Sequence, residues 1–206
     1  MTENKNRCFW CSGNELMTKY HDEEFGVPTH DDHKQFEHLM LEVLQCGLNW
    51  LYVIKKREIF RKCLDNFDFE KIAIYTEEDV ERILKFEGML KSRRKINAII
   101  NNANCFIKVR EEFGSFSDYI WKYADNVPIV YKSHDENNLP AQNELSEKIA
   151  KDLKSRGFKY VGAVTIYSHL QGVGIINDHF KTCFRYKQIN DDYRHVIIND
   201  EVSSNV

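Results

Sequence analysis

From Asp31 onward, apolar residues return at helical spacing: Phe36, Leu39, Met40, Val43 and Leu44 fall at i, i+3, i+4, i+7 and i+8, which places them on one face. Asp32 is positioned to cap this segment, with Gln35 three residues later. Cys46-Gly47-Leu48-Asn49 ends it, and a second helix is predicted over residues 50–64. Thr76 and Asp79 open a short helix carrying Val80, Ile83 and Leu84 and stopped at Gly88. Ser92 starts a longer one whose buried stripe is Ile96, Ile99, Ile100, Ala103 and Ile107. One more helix is predicted over residues 116–123.

The polar stretch 125–140 reads as a connection between two lobes. Leu145, Ile149 and Leu153 mark a helix that ends at Gly157, and after a turn over 158–162 an apolar run over 163–170 makes the next. The local pattern is helix, hairpin, helix. A last helical segment is expected over 179–183. Residues 187–206 lack periodicity and are expected to form a peripheral polar tail. These signals together predict an all-α fold, with one helical domain over 1–186 in two lobes.

Composition narrows the class. At 206 residues and 42% hydrophobic, the chain can bury a substantial core, which excludes a disordered polymer. Three prolines and nine glycines, against 13 phenylalanines and 10 tyrosines, favour long regular elements around an aromatic interior or site. A net charge of -3 leaves no global cationic field, so a nucleic-acid partner must be held by a local patch. The N-terminus has no signal-peptide core, and no stretch approaches the about 18 apolar residues of a membrane span; we read a soluble cytoplasmic chain. The six cysteines are scattered and are expected to be reduced thiols or metal ligands.

Two ends of the chain carry metal-ligand chemistry. His179 and Cys183 are four residues apart, a spacing that stacks side chains on one helix face. The N-terminal segment supplies Cys8, Cys11 and His21, and thiolate with imidazole is the donor set of tetrahedral zinc. Two readings compete: a Cys8-x-x-Cys11 knuckle, or a shell of Cys8, His21, His179 and Cys183. A plain alternative treats the cysteines as small apolar fillers. A closed shell of four would tie the two ends together and contribute stability, not chemistry.

Basic residues collect at two places. Lys91, Arg93, Arg94 and Lys95 surround a helix start, where cations are unfavourable without an anion such as phosphate. Lys154, Arg156 and Lys159 flank Gly157 and Gly162, so the hairpin offers backbone N–H groups and a helix N-terminus beside positive side chains. The alternative is an ordinary solvated surface. Glu42 stands at the margin of the first apolar stripe. Trp10, Tyr20, Phe25 and Trp50 are faces on which a planar base can stack, and a carboxylate facing them would select a cationic ring; core packing is the competing role for each aromatic.

Taken in order, these residues resemble the DNA-3-methyladenine glycosylase I family, a zinc-containing branch of the helix-hairpin-helix DNA glycosylases. The resemblance runs from about Arg7 to Cys183. Its landmarks are Arg7-Cys8-x-Trp10, Tyr20-His21-Asp22-x-Glu24-Phe25-Gly26-Val27-Pro28 and Leu41-Glu42-x-x-Gln45-x-Gly47-Leu48-x-Trp50. Further on stand Lys55-Lys56-Arg57-Glu58, Arg94-Lys95-Ile96, Arg156-Gly157-Phe158-Lys159-Tyr160-Val161-Gly162, and Asn177-Asp178-His179 followed by Cys183.

The resemblance implies one structural zinc per chain on Cys8, His21, His179 and Cys183, and it demotes Cys11. It implies a pocket of Trp10, Tyr20, Phe25, Glu42 and Trp50 for an extruded 3-methyladenine, with Glu42 as its catalytic carboxylate. Gly47 and Leu48 would press into the duplex, and Arg156, Gly157, Lys159 and Gly162 would hold the backbone. The expected partner is damaged double-stranded DNA, bound by a monomer with no membrane role. The expected reaction is hydrolysis of the N-glycosidic bond, leaving an abasic site without a lyase step. Phe25 stands where family members often have tryptophan, Met17 where tyrosine is common, and Val43-Leu44 replace a Gly-Gln pair. Asn177 takes the place of the catalytic aspartate of many helix-hairpin-helix relatives, as is typical of this branch. Two rivals are a non-catalytic DNA-structure binder with the same hairpin and a zinc-stabilised interaction protein without a nucleic-acid role.

Overall fold

The central helix begins one residue earlier in its capping than the pattern predicts. In the computed structural model, which describes residues 5–200, Asp31 is the cap, its carboxylate accepting from the Lys34 amide at 3.1 Å. Such a cap contributes about 1 kcal/mol. Asp32 is thereby released for a longer reach: it accepts from the Phe116 and Ser117 amides and from Arg110 Nε at 2.7 Å. It docks the start of this helix onto a distant one.

The helices, in chain order, are α1 (Glu15–Glu23), α2 (Asp32–Gln45), α3 (Trp50–Cys63), α4 (Phe69–Ala73), α5 (Glu77–Lys85), α6 (Arg93–Phe113), α7 (Phe116–Trp121), α8 (Glu144–Ser155), α9 (Ala163–Gly172) and α10 (Phe184–Asp192). Thr76 and Asp79 form the expected capping box at α5, and Asn49 caps α3. A small parallel sheet completes the fold, β1 (Ile129–Tyr131) against β2 (Val196–Ile198). Among the described residues no helix is long and apolar enough to cross a membrane.

α2 is buried on nearly every side and packs against α3, α6, α7 and α9. Its interior therefore includes polar side chains as well as the predicted apolar stripe: Gln35, His38 and Glu42 are all buried. Their spacing of three and four residues puts them on one helical face. One continuous hydrophobic cluster runs from Phe36 to Ile176, and a second, small one holds Cys8, Phe180 and Cys183.

Three sequence expectations change. Residues 179–183 are a turn, not a helix; Cys183 instead precedes the first turn of α10. Residues 187–192 are helical and 196–198 pair with 129–131, so the described part of the stretch read as a tail without elements folds back onto the domain, while 201–206 lie outside the described residues. The supposed connection at 125–140 contains β1. Two three-residue strands joined in parallel across more than sixty residues leave no periodic signature.

Candidate functional site

Cys8, His21, His179 and Cys183 meet in one buried cluster, with their ligand atoms within 4.8 Å of one another. Cys8 Sγ lies 3.6 Å from His179 Nδ1, and Cys183 Sγ lies 3.4 Å from His21 Nε2 and 3.8 Å from His179 Nδ1. A tetrahedral ion with thiolate and imidazole bonds of about 2.3 and 2.0 Å would set such sulfur to nitrogen edges at about 3.6 Å.

Both imidazoles are oriented for the task. His21 Nδ1 donates to Asp22 at 2.7 Å and His179 Nε2 donates to the Phe25 carbonyl at 2.8 Å, so the nitrogens facing the cluster are the bare ones. Asp22 is gripped in turn by Arg7 through two nitrogens. Against burial, which raises it, Arg7 and His21 hold the Asp22 carboxyl below its usual range. The neighbouring Cys8 thiol is the main cause that drives Cys183 toward thiolate, and the shared proton pushes Cys8 up. Gly26 permits the close approach: at φ +74° it leaves His179 room that a Cβ, 2.9 Å from its Cδ2, would fill. The donor set fits a metal ion. Cys11 lies outside it, its thiol turned to the Cys8 carbonyl at 3.1 Å, which decides between the two readings of the cysteine spacing.

Beside this cluster lies a cavity of about 340 Å³, at the lower end of small-molecule sites. Trp10, Tyr20, Phe25, Glu42 and Trp50 all line it, as anticipated. Met17 and Phe25, both departures from the resemblance pattern, are wall residues too, whereas Val43 and Leu44 are wholly in the core. The rings pack at angles: Trp10 to Phe25 at 5.1 Å, Tyr20 to Trp50 at 5.4 Å. Glu42 is 4% exposed and makes no side-chain hydrogen bond among the described residues, and burial pushes its carboxyl up to about 8. Trp50 Nε1 is also buried without a partner. Both are buried polar groups that have no partner among the described residues.

Sequence reasoning missed part of the wall: Gln45, Leu139, Ser168, Gln171 and Asp178. Asp178 is the notable one, a buried carboxylate held by His134 at 2.7 Å, Tyr167 at 2.5 Å and Gln171 at 2.8 Å. Its neighbour Asn177 faces away and bonds Asn190 on α10 at 2.9 Å. Adjacency to the ligand His179 was the available signal. α1, which carries Tyr20 and His21, is fixed by Arg57 of α3, paired to Glu24 and Glu37 at 2.7 Å.

The basic residues divide. Of the group at the start of α6, Lys95 donates to the Leu44 and Cys46 carbonyls at 2.7 Å, closing the end of α2 next to Gly47 and the exposed Leu48. Lys91 bonds the Phe86 carbonyl at 2.9 Å, and Arg93 pairs with Glu77 and Glu81. The acceptors these cations need are thus supplied by the protein, backbone carbonyls for Lys91 and Lys95 and carboxylates for Arg93, which corrects the phosphate reading for them. Arg94 alone of the four makes no side-chain bond among the described residues. It lines an open groove with Asn97, Ala98, Asn101, Lys159 and Tyr160.

In the hairpin between α8 and α9, Arg156 pairs with Glu112 at 2.7 Å and Asp152 at 2.9 Å and covers the Phe113 ring. It braces the turn from inside the surface. Asn101 and Asn102 of α6 clamp the hairpin backbone, bonding the Gly157 carbonyl and both the amide and carbonyl of Lys159. The Lys159 ammonium has no partner among the described residues. Gly162 caps α9 without a side chain, so the first amides of α9 have no side-chain acceptor.

Comparison with known proteins places this geometry. The family model described as methyladenine glycosylase matches residues 10–186. A curated protein of Escherichia coli named DNA-3-methyladenine glycosylase 1 is 41% identical over 180 residues, covering 87% of this chain and 96% of that protein. A crystal structure of 3-methyladenine DNA glycosylase I superposes with a TM-score of 0.83 at 42% identity, covering 87% of this chain and 98% of that one. A structure of 3-methyladenine DNA glycosylase I from Staphylococcus aureus, on 3-methyladenine recognition, also has a TM-score of 0.83, at 31% identity over 87% and 96% of the two chains. The chain belongs to the methyladenine glycosylase family.

Proposed function

We propose that this chain removes 3-methyladenine from alkylated duplex DNA by hydrolysing the N-glycosidic bond, leaving an abasic site. The observation that carries this is an aromatic-lined cavity whose one unpartnered carboxylate among the described residues is Glu42. Methylation at N3 makes the base cationic, so the departing group is neutral and needs no protonation by the protein. A cationic ring entering the cavity is the counter-charge that Glu42 lacks, and it pulls the carboxyl toward its ionised form. Trp10, Tyr20, Phe25 and Trp50 supply the stacking faces that exclude water and hold the ring. As the sugar gains oxocarbenium character, the ionised Glu42 stabilises it electrostatically.

The duplex is held, in this reading, by the hairpin: the Lys159 ammonium and the open amides at Gly162 take phosphates, and Gly47 and Leu48 enter the space the base vacates. Gly157 gives the turn its shape and Arg156 keeps it rigid. The clamp is sequence-neutral, and a monomer suffices for it. Cys8, His21, His179 and Cys183 of the neighbouring cluster would hold a zinc ion, which with four protein ligands would supply fold stability and not chemistry.

The test is incubation with methylated duplex DNA. Released 3-methyladenine matched by abasic sites is the expected result, whereas duplex binding with no release would favour a DNA-structure binder.

A further inference from the structure

Behind Tyr20 runs a line of buried polar groups that the reaction above does not use. Tyr20 Oη lies 3.1 Å from His38 Nε2, His38 Nδ1 lies 3.3 Å from His169 Nδ1, and His169 Nε2 lies 3.0 Å from Gln35 Oε1. Gln35 Nε2 ends the line on the Thr29 carbonyl at 2.9 Å. All three side chains behind Tyr20 are buried, His169 and Gln35 completely.

The direction of every proton follows from the far end. A carbonyl oxygen only accepts, so the Gln35 amide must turn its NH₂ to Thr29 and its oxygen to His169. His169 Nε2 then carries the proton and Nδ1 is bare. A bare His169 Nδ1 requires a proton on His38 Nδ1. Burial, the main cause, holds His38 down at about 3 and His169 well below its ordinary range, so each ring is neutral and has a single N–H. His38 Nε2 is therefore an acceptor, and the Tyr20 hydroxyl donates to it.

We infer that this one-way chain, anchored at Thr29 and passed through Gln35, His169 and His38, turns the Tyr20 proton away from the cavity and makes Tyr20 an obligate acceptor toward the base. A ring edge presenting an N–H to Tyr20, as an exocyclic amine does, is taken. An edge presenting a carbonyl there meets lone pairs and is refused. The inference rests on the cavity being the base pocket, and it makes His38, His169 and Gln35 positioning residues for base selection. Gly172 belongs to the same device: an added Cβ would fall 1.9 Å from His38 Nε2. The helix must be bare there for the imidazole to stand.

Two measurements decide it. Nitrogen-15 imidazole spectra of the full chain should show opposite tautomers, the proton on Nδ1 in His38 and on Nε2 in His169; like tautomers, or a proton on His38 Nε2, overturn the chain. Calorimetric affinities for the free bases 3-methyladenine and 3-methylhypoxanthine, which differ by amine against carbonyl, give the selection. In His169→Phe the acceptor pinning the His38 proton is gone, and the preference for 3-methyladenine should fall about tenfold. Gly172→Ala, which displaces His38, should do the same by another route. In a Tyr20→Phe background His169→Phe should leave the ratio unmoved. An unchanged ratio in both single variants, with both bases still bound, overturns the selection and leaves the pocket standing; a wild type that binds neither base overturns the pocket reading and the selection together.

Discussion

The metal cluster and the cavity share a wall, with Phe25 contacting both Trp10 and His179 at about 5 Å, yet they treat polar groups in opposite ways. In the cluster every donor is backed: Arg7 holds Asp22, Asp22 holds His21, and the Phe25 carbonyl holds His179. In the cavity Glu42 and Trp50 Nε1 are buried and unpartnered. A satisfied network contributes to one rigid structure. An unsatisfied one costs stability that a ligand of the right charge recovers. The contrast separates a structural centre from a reactive one without reference to sequence position.

The largest effect should come from breaking the satisfied side. Cys183→Ser is expected to lose one zinc in native mass spectrometry and to cost on the order of 3 kcal/mol or more in denaturant unfolding. Chelation that leaves the wild-type transition in place would remove the cluster from the account.

Glu42→Gln sharpens the unsatisfied side and should act in the opposite sense on stability. The Glu42 carboxyl is raised to about 8 by burial, so between the ordinary carboxylate range and pH 8 the folded state holds a proton that the unfolded state has lost. Wild-type stability therefore falls as pH rises across that window. The variant, with nothing to ionise, should be more stable than wild type by up to about 3 kcal/mol at pH 7, a margin that vanishes near pH 4. Paired unfolding curves at pH 4, 5.5 and 7 measure it; a margin constant with pH contradicts the burial.

The smallest effects are on the hairpin. Lys159→Ala should weaken duplex binding a few-fold and lower the salt dependence by about one phosphate contact. Arg156→Ala should leave that slope alone and lower the melting temperature, since its partners are Glu112 and Asp152. Titrations at several salt concentrations distinguish the two.

Much of this was legible in the chain. The 3.6-residue recurrence that locates α2, α5, α6 and α8 reflects one-sided burial, which periodicity reports directly. It fails where burial is not one-sided. α2 is enclosed, so periodicity of apolar residues does not report its inward polar face of Gln35, His38 and Glu42: Glu42 reads as the margin of the stripe, Gln35 as part of a cap, and His38 gives no signal. Donor chemistry points to both ends of the chain but leaves two ligand sets open, and the resemblance favours the one the fold brings together; His179 and Cys183 join it although 179–183 is a turn, because the spacing that suits a helix also suits a turn followed by α10. Leu139 from the 125–140 connection and Ser168 and Gln171 from α9 reach the cavity wall, and only the fold brings them there. The basic residues are legible as charge, and Asp152 stands four residues before Arg156, but Glu112 of α6 and Glu77 and Glu81 of α5, which pair with Arg156 and Arg93, are brought to them only by the fold.

The central claim is that Glu42, buried and unpartnered, is what the damaged base engages. Single-turnover release of 3-methyladenine from methylated duplex DNA, compared between wild type and Glu42→Gln at saturating protein, tests it most directly. The account predicts release by the wild type and a rate about 100-fold lower in the variant, with duplex affinity unchanged. Equal rates in the two proteins would contradict it.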